Sequence, residues 1–343
     1  MAIASRFGVG PPPLTLGVEE ELCVVDAETF DQVGRGPELV AALERRDLPG
    51  RAKTELHASV VELNTDPCAT AAGVLEALQG LRAEAASAAS ELGLAIMATG
   101  THPFARASTQ PIVPEERYLS MVERHGFSAR RQNVQGLHVH IAMPTADACW
   151  HTLEGLLPLL PAVLAVSANS PWFEGELTGM ASNRAPVLAE LPRTGCPPAF
   201  GSYAAWEAWI ERLVKLGVIA DHTRIWWDIR PHPSLGTLEV RMPDQPTDVR
   251  GSARLAELLQ RLAERSLDQG GDVPEASRAD YEYNRWAAAR SGPGAELIAP
   301  DGGSLAPAFE LLGFAHPHSE GESQTRFGDP RDAAADLVKR SLA

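Results

Sequence analysis

The stretch Leu14-Thr-Leu-Gly-Val-Glu-Glu-Glu-Leu-Cys-Val-Val25 has the alternating pattern of a β-strand with one covered face. The apolar face would carry Leu14, Leu16, Val18, Leu22 and Val24. Glu19 and Glu21 would project side by side from the other face. Two neighbouring carboxylates repel each other unless a cation lies between them, and hard oxygen ligands suit Mg²⁺ or Mn²⁺. Acidic pairs are also common on solvated edge strands, so this stretch alone leaves both interpretations open.

Glu20 lies between these two residues and shares the parity of the apolar side chains. We predict that it is a structural residue, at a sheet margin or paired with a cation, and not a metal ligand. The acidic triplet therefore contributes two candidate ligands.

Three further segments repeat the pattern of an apolar face opposite ionisable residues. These residues are His138 and His140 in Gln135–Met143, Glu239 and Arg241 in Gly236–Met242, and Glu55, His57, Glu62 and Asn64 in Lys53–Thr65. Each segment alone is explained as well by a hydrogen-bonded histidine or a salt bridge. Taken together, they line one predicted sheet face with charge, and burying unpaired carboxylates is costly without a cation. We therefore favour a metal site.

The segment that contains Glu55 and Glu62 requires a turn if both carboxylates are to serve this site. The two residues are seven positions apart, so one continuous strand would place them on opposite faces. A turn near His57-Ala58-Ser59 would make a hairpin and return both to one face. We predict this hairpin.

The predicted site has the chemistry of a hard metal that carries a phosphate. Arg241 suits the charge that develops on a transferring phosphoryl group. The sequence has no GxxxxGK[ST] loop and no GxGxxG fingerprint after a strand. Gly100-Thr-His-Pro103 ends a predicted strand and is either a site loop or a plain turn.

The composition limits the classes of partner. The 343 residues are 44% hydrophobic, which indicates a folded soluble protein. With 30 basic and 45 acidic residues the net charge is -15, which argues against nucleic acid or an acidic membrane as partner.

The apolar run 156–168 is short and contains two prolines, so it is not a membrane span. Four scattered cysteines and no apolar leader predict a cytoplasmic protein.

Strand-like and helical segments mix without strict alternation, which predicts an α+β fold with one open sheet face. Strands are predicted near 14–25, 52–57, 59–65, 94–99, 133–143, 223–230 and 235–242. Helices are predicted from Thr65-Asp66-Pro67 to Gly93, over 151–168, over 203–216 after a Ser202 cap, from a Thr247 cap to about 267, and near 278–290. We predict one catalytic domain, 1–343, with a core over about 14–290 and an irregular region 291–343 that contains a short helix.

Seven ordered segments of the chain resemble the bacterial carboxylate–amine ligases of the glutamate–cysteine ligase type 2 family. The segments are Leu16–Leu22, Val60–Thr65, Gly100–Phe104, Gly136–His140, Ala181–Arg184, Trp227–Pro231 and Gly236–Arg241. The resemblance implies a glutamine-synthetase-like antiparallel sheet funnel, with helices on its convex face and metals and ATP on its concave face. It also implies that a carboxylate becomes an acyl phosphate, which an amine then attacks.

The resemblance assigns a role to each candidate residue. It implies that Mg²⁺ is held by Glu19, Glu21, Glu55, Glu62, His138 and Glu239. It implies that Arg241 acts with Glu239 in catalysis and that ATP phosphates contact Arg241, Arg230 and His140. It implies that substrate contacts come from Arg184, Thr101 and His102.

The expected substrates are a small amino acid and an amine, and the expected assembly is a homodimer. Beyond about residue 290 the resemblance becomes thin. A biosynthetic ligase with an amine other than cysteine therefore fits equally well. A guanidino-kinase-like phosphotransferase and a non-catalytic nucleotide-binding protein are the other two interpretations.

Overall fold

The computed structural model describes residues 5–269, 276–314 and 320–342. The strands are β1 (Leu16–Asp26), β2 (Gly50–Thr54), β3 (Val60–Thr65), β4 (Leu94–Met97), β5 (Leu137–Ala142), β6 (Trp172–Phe173), β7 (Glu176–Leu177), β8 (Thr194–Gly195), β9 (Trp226–Trp227), β10 (Ile229–His232), β11 (Thr237–Val240), β12 (Glu296–Ile298) and β13 (Leu305–Pro307). The α-helices are α1 (Gly36–Leu43), α2 (Ala71–Glu91), α3 (Glu116–His125), α4 (Phe127–Arg130), α5 (Ala146–Leu156), α6 (Leu160–Ser167), α7 (Arg184–Leu188), α8 (Tyr203–Lys215), α9 (Val249–Gln269), α10 (Ala276–Ser291), α11 (Ala308–Leu311) and α12 (Pro330–Ser341). The mixture of helices and strands is the predicted α+β class.

The main sheet of the described chain is antiparallel and has β1 at its centre. Its strand order is β10-β11-β5-β1-β3-β2, and β4 also pairs with β1. The register places Glu21 opposite Glu62, and Glu19 opposite His138. Glu239 of β11 lies opposite His140 of β5. Four predicted segments therefore meet on one sheet face.

The predicted hairpin between Glu55 and Glu62 is present. β2 and β3 pair antiparallel, with Lys53 opposite Glu62. Glu55 directly follows the last residue of β2, and the chain turns before β3 begins. The turn brings both carboxylates to the same side of the sheet.

Helices α2 and α9 cover the apolar face of the sheet, where the even-numbered side chains of β1 from Leu16 to Val24 are buried. The predicted start of the first long helix at Thr65-Asp66-Pro67 is wrong, because Thr65 ends β3 and its hydroxyl accepts a hydrogen bond from the Val18 amide (3.1 Å). Thr70 caps α2 instead, by accepting from the amide of Gly73 (3.2 Å). The predicted Ser202 cap of α8 is confirmed.

The predicted strand 223–230 is interrupted. A short 3₁₀ turn, His222–Arg224, precedes β9, and Asp228 separates β9 from β10. The Asp228 carboxylate accepts hydrogen bonds from Tyr281 (2.9 Å) and Arg285 (2.9 Å), so the strand breaks where this side chain turns inward.

The apolar stretch Ala146–Ser167 spans α5, a 3₁₀ turn and α6. It is long and apolar enough to cross a membrane, but 67% of its most apolar window is buried inside the protein. Its side chains join the same core as the sheet and α9. The stretch therefore packs within this core, as expected for a buried helix.

The region after residue 290 is more regular than predicted. It contains the β12–β13 pair, α11 and the twelve-residue helix α12. Leu337 of α12 is fully buried against Cys23, Val25 and Met97. Helix α12 thereby covers the end of β1 beyond the glutamates, where the odd-numbered side chains become apolar. Residues 315–319 of the predicted irregular region lie outside the described residues.

Candidate active site

The open face of the sheet forms the floor of a cleft of ≈ 350 Å³. Three carboxylates from β1 and the β2–β3 hairpin, those of Glu21, Glu55 and Glu62, have oxygen atoms within 4.8 Å of one another. The Glu62 carboxylate accepts hydrogen bonds from Lys53 Nζ (2.9 Å) and Asn64 Nδ2 (2.7 Å). Burial, and then the charges of Glu62 and Glu21, raise the pKa of Glu55 well above its usual range. This first cluster lacks the positive charge needed to compensate all three carboxylates.

A second cluster lies beside the first and consists of Glu19, His140 and Glu239. Its ligand atoms also lie within 4.8 Å of one another. Burial alone would raise the pKa of Glu19, but the charge of His140 and the hydrogen bonds from His138 and His140 hold it well below its usual range. The His140 Nε2 atom is buried, and its contact with Glu19 Oε1 is long, at 3.5 Å. A ligand atom could replace this long contact.

The two histidines of β5 both lie beside the acidic clusters of the cleft. His138 lies between the two clusters, with Nδ1 3.2 Å from Glu19 Oε2 and Nε2 3.8 Å from Glu21 Oε1. His140, expected to contact phosphate, is the histidine whose nitrogen converges with Glu19 and Glu239. The choice of His138 as the cation ligand remains a prediction, because both histidines lie beside the carboxylates of the clusters.

Two arginines hold Glu239. Arg230 makes a bidentate pair with it (Nε–Oε2 2.7 Å, Nη2–Oε1 3.1 Å), and Arg241 Nη1 also donates to Oε1. Burial would raise the pKa of Glu239, but the charges of Arg230 and Arg241 hold it well below its usual range. Arg230 also donates to the carbonyl of Thr223 (2.9 Å) and is 6% exposed, whereas the Arg241 side chain is 20% exposed to the cleft. Arg241 is thus the arginine better placed to contact a ligand.

The donor set fits hard divalent cations. Carboxylate oxygens predominate in both clusters, histidine nitrogen is the other donor type, and no cysteine lines the cleft. A cation in the first cluster would relieve the repulsion that raises the pKa of Glu55. A cation in the second cluster would give His140 Nε2 a closer partner than Glu19 Oε1, which lies 3.5 Å away.

Thr101 and His102 are not among the described residues that line the cleft, and their expected role as substrate contacts stays a prediction. The Thr101 hydroxyl donates to the carbonyl of Trp172 (2.6 Å). The His102 Nε2 atom bonds the carbonyl of Phe30 (2.9 Å), and its Nδ1 accepts from the amide of Ala105 (3.0 Å). Both side chains fasten their loop to neighbouring backbone.

Arg184 lines the cleft and is only 2% exposed, and its expected role as a substrate contact stays a prediction. Its terminal nitrogens donate to the carbonyls of Met242 and Arg241, each at 3.0 Å. Arg184 therefore positions the backbone that carries Arg241.

The cleft also contains residues that the sequence did not single out. These are Lys53, Arg117, Tyr118, Arg224 and Trp226. Lys53 shares the parity of Glu55 on β2, which is a signal that could have identified it. The others reach the cleft through long-range packing, which strand parity does not reveal.

Comparison with known proteins places this architecture among ligases. The crystal structure of a bifunctional glutathione synthetase from Pasteurella multocida superimposes with a TM-score of 0.62 and 17% identity, over 95% of this chain and 49% of that one. This chain thus spans about half of that protein. The glutamate–cysteine ligase of Francisella tularensis in complex with AMP gives a TM-score of 0.56 and 14% identity, over 96% of this chain and 82% of that one. The sheet and its helices define a protein with the fold of these ligases.

Sequence relatives give the family. A protein from Rubrobacter xylanophilus, provisionally named glutamate–cysteine ligase 2-3, is 40% identical over 293 residues, which are 85% of this chain and 79% of that protein. A relative of the same provisional type from Herpetosiphon aurantiacus is 38% identical over 291 residues, 83% of this chain and 75% of that protein. The glutamate–cysteine ligase family 2 profile matches residues 15–340. The chain belongs to glutamate–cysteine ligase family 2, which confirms the resemblance and the fold predicted from the sequence.

Proposed function

We propose that this protein is an ATP-dependent carboxylate–amine ligase that forms an amide bond of the γ-glutamyl type through an acyl phosphate. The observation that carries the proposal is the pair of acidic clusters on adjoining strands, with Arg241 at their edge. Hard cations held by carboxylates bind phosphate oxygens. The names of the relatives and the AMP bound to the Francisella tularensis ligase support the same reaction class.

The two clusters would hold the Mg²⁺ ions, for which Mn²⁺ is a substitute. Glu21, Glu55 and Glu62 would form one site, and Glu19 and Glu239 with a β5 histidine the other. When bound, such ions neutralise the phosphate oxygens of ATP and act as Lewis acids.

The reaction requires two displacements. A carboxylate oxygen attacks the γ-phosphorus of ATP, the bond to the ADP oxygen breaks, and an acyl phosphate forms. The amine nitrogen then attacks the acyl carbon, phosphate leaves, and the nitrogen loses a proton. Arg241 would stabilise the charge on the transferring phosphoryl group. Arg230 would hold the Glu239 carboxylate in position, and Glu239 in turn would position Arg241. Enclosure in the cleft would limit hydrolysis of the acyl phosphate.

The test is phosphate release from ATP and Mg²⁺ with a panel of amino acids and amines, followed by mass spectrometry of the product. We expect an amide, and a hydroxamate when hydroxylamine replaces the amine, because hydroxylamine traps an acyl phosphate. Glu21→Gln and Arg241→Gln should each abolish turnover, whereas Glu28→Gln, an exposed glutamate just after β1, should not. Full activity in both cleft variants would refute the site.

Other products would select the other interpretations. A phosphorylated guanidino compound without an amide would identify a phosphotransferase. Nucleotide binding without turnover of any substrate would identify a non-catalytic nucleotide-binding protein. A cytoplasmic location and a homodimer remain predictions; the free state of all four cysteines agrees with the first.

A further inference from the structure

A second cavity, of ≈ 510 Å³, adjoins the acidic cleft. Met121, Arg224 and Trp226 line both spaces. A molecule bound in the cleft can therefore extend into the second cavity. We call this cavity the basic pocket, because its walls carry Arg124, Arg193 and Arg224.

The described lining of the basic pocket carries more arginines than carboxylates. Its three arginines come from α3, from the residue before β8 and from the turn before β9. Within the described ranges, none of them forms an ion pair with a carboxylate. Glu123 is the acidic residue among the pocket's described lining, and it is exposed. Three arginines facing one cavity make a local positive potential in a chain whose net charge is -15, and such a potential attracts anions.

The protein anchors these guanidinium groups but leaves most of their N–H groups open. Arg193 Nε donates to the carbonyl of Arg224 (3.0 Å), and its guanidinium lies 5.2 Å from the centre of the Trp226 ring. Arg124 donates to the carbonyl of Gly217 (3.2 Å). Their other N–H groups have no acceptor in the described part of the chain. Anchored donors with free N–H groups are pre-organised for an anionic ligand.

The cationic side chains of the basic pocket repel one another. Burial and then the charge of Arg124 lower the pKa of Arg193. Burial and then the charges of Arg193, Arg124 and Arg224 lower the pKa of His125, which packs edge-on against Trp226. A bound anion would relieve this mutual repulsion.

The number of guanidinium groups indicates the charge of the ligand. One bidentate arginine satisfies one carboxylate, so three suit a phosphate monoester or two carboxylates. The two acidic clusters and Arg241, which would hold the phosphates of ATP, line the cleft and not the pocket. The pocket therefore remains free for the second substrate.

We propose that the basic pocket binds a doubly charged acidic group, a phosphate monoester or a pair of carboxylates, carried by the amine substrate. The amine nitrogen lies in the cleft while the acidic group lies among Arg124, Arg193 and Arg224. This inference rests on the proposed ligase function and narrows its amine to an acidic one.

The test compares amines of similar size that differ in charge, with glutamate as the acid: O-phosphoserine against serine, and aspartate against asparagine. In the wild type, kcat/KM should be at least about tenfold higher for the anionic member, as expected for charge-assisted hydrogen bonds. The double variant Arg124→Gln/Arg193→Gln should lose this preference with KM for ATP unchanged. Arg212→Gln, an exposed arginine of α8, is the matched control and should keep the preference. Equal use of both members, or a preference that survives in the double variant, would overturn the proposal.

A binding measurement separates failure of this inference from failure of the ligase proposal. Inorganic phosphate is titrated calorimetrically into magnesium-free protein at constant ionic strength. Binding should weaken in the double variant and be unchanged in Arg212→Gln. If no amine supports phosphate release but this loss is observed, the ligase function is refuted and the pocket stands as an anion site. Equal binding by the wild type and the double variant refutes the pocket.

Discussion

The Glu55 carboxyl group lies beside two other carboxylates, and its raised pKa is the consequence of burial and of their charges. A protein that stabilises such a cluster only with a cation should be sensitive to metal removal. The effect of each charged residue of this cleft on stability can therefore be measured without knowing the substrate.

Mg²⁺ should stabilise the wild type, by about 1.4 kcal/mol at ten times the dissociation constant. Glu21→Gln should lose most of this gain because one ligand of the first cluster is removed. Without metal the variant should be at least as stable as the wild type, since the substitution removes a like charge beside Glu55. The measurement is thermal unfolding with MgCl₂ and with EDTA, with Glu28→Gln as control. A wild type that ignores Mg²⁺ would contradict the assignment.

His102 should make the fold sensitive to acid. Its Nδ1 accepts backbone hydrogen bonds and cannot carry a proton in the fold, and burial lowers its pKa from 6.5 to about 4. Below pH 6.5 the unfolded chain binds a proton that the folded chain does not, so stability falls as the pH falls towards 4. Between pH 7 and pH 5 this group alone should cost about 2 kcal/mol.

Urea unfolding at both pH values checks this effect of His102. In His102→Gln the loss of stability between pH 7 and pH 5 should be smaller than in the wild type, because the titrating group is absent. The same loss in both proteins would show that His102 is not responsible. His57 and His232, whose pKa values burial also lowers to about 4, remain in both proteins and cancel in the comparison.

At the level of elements, the central strand is joined to its covering helix by a buried ion pair. Glu20 is fully buried and accepts two hydrogen bonds from Arg82 of α2, both at 2.7 Å. Gln245 (3.0 Å) and Ser252 of α9 donate to the same carboxylate. The prediction that Glu20 is a structural residue paired with a cation is confirmed.

Arg82→Leu should destabilise the fold by about 3–5 kcal/mol, because it leaves the Glu20 carboxylate buried and without its cation. Glu84→Gln on the same helix removes a partly exposed ion pair with Arg46 and should cost less than about 1 kcal/mol. Chemical denaturation of both variants gives the comparison. Similar losses would mean that the buried pair contributes little.

The elements also show what sequence patterns can and cannot predict. Alternation in β1 correctly separated Glu19 and Glu21 from Leu16 and Leu22, because strand geometry is local. The orientation of the His102 side chain could not be predicted from the sequence, because the carbonyl that it bonds belongs to Phe30, 72 residues away in the chain. The basic pocket was missed for the same reason: no periodicity links Arg124, Arg193 and Arg224.

At the scale of the whole molecule, the last described helix packs against the first strand. Leu337→Ala should cost about 2–5 kcal/mol, because Leu337 is fully buried between Cys23 and Met97. Leu342→Ala, at a position 53% exposed, is the matched control and should change stability little. Unfolding curves of the two variants test whether α12 is part of the cooperative fold. The prediction of a single domain over 1–343 stays open until such data exist.

The order of strands in the sheet has a consequence for synthesis of the chain. The first cluster needs only residues up to Glu62, but the second needs Glu239 of β11, and the central pairing of β1 needs β5. A growing chain on the ribosome therefore carries its acidic residues for more than half of translation before their partners emerge. Until then Glu20 also lacks Gln245 and Ser252. The two acidic clusters can therefore both be complete only after most of the polypeptide has been made.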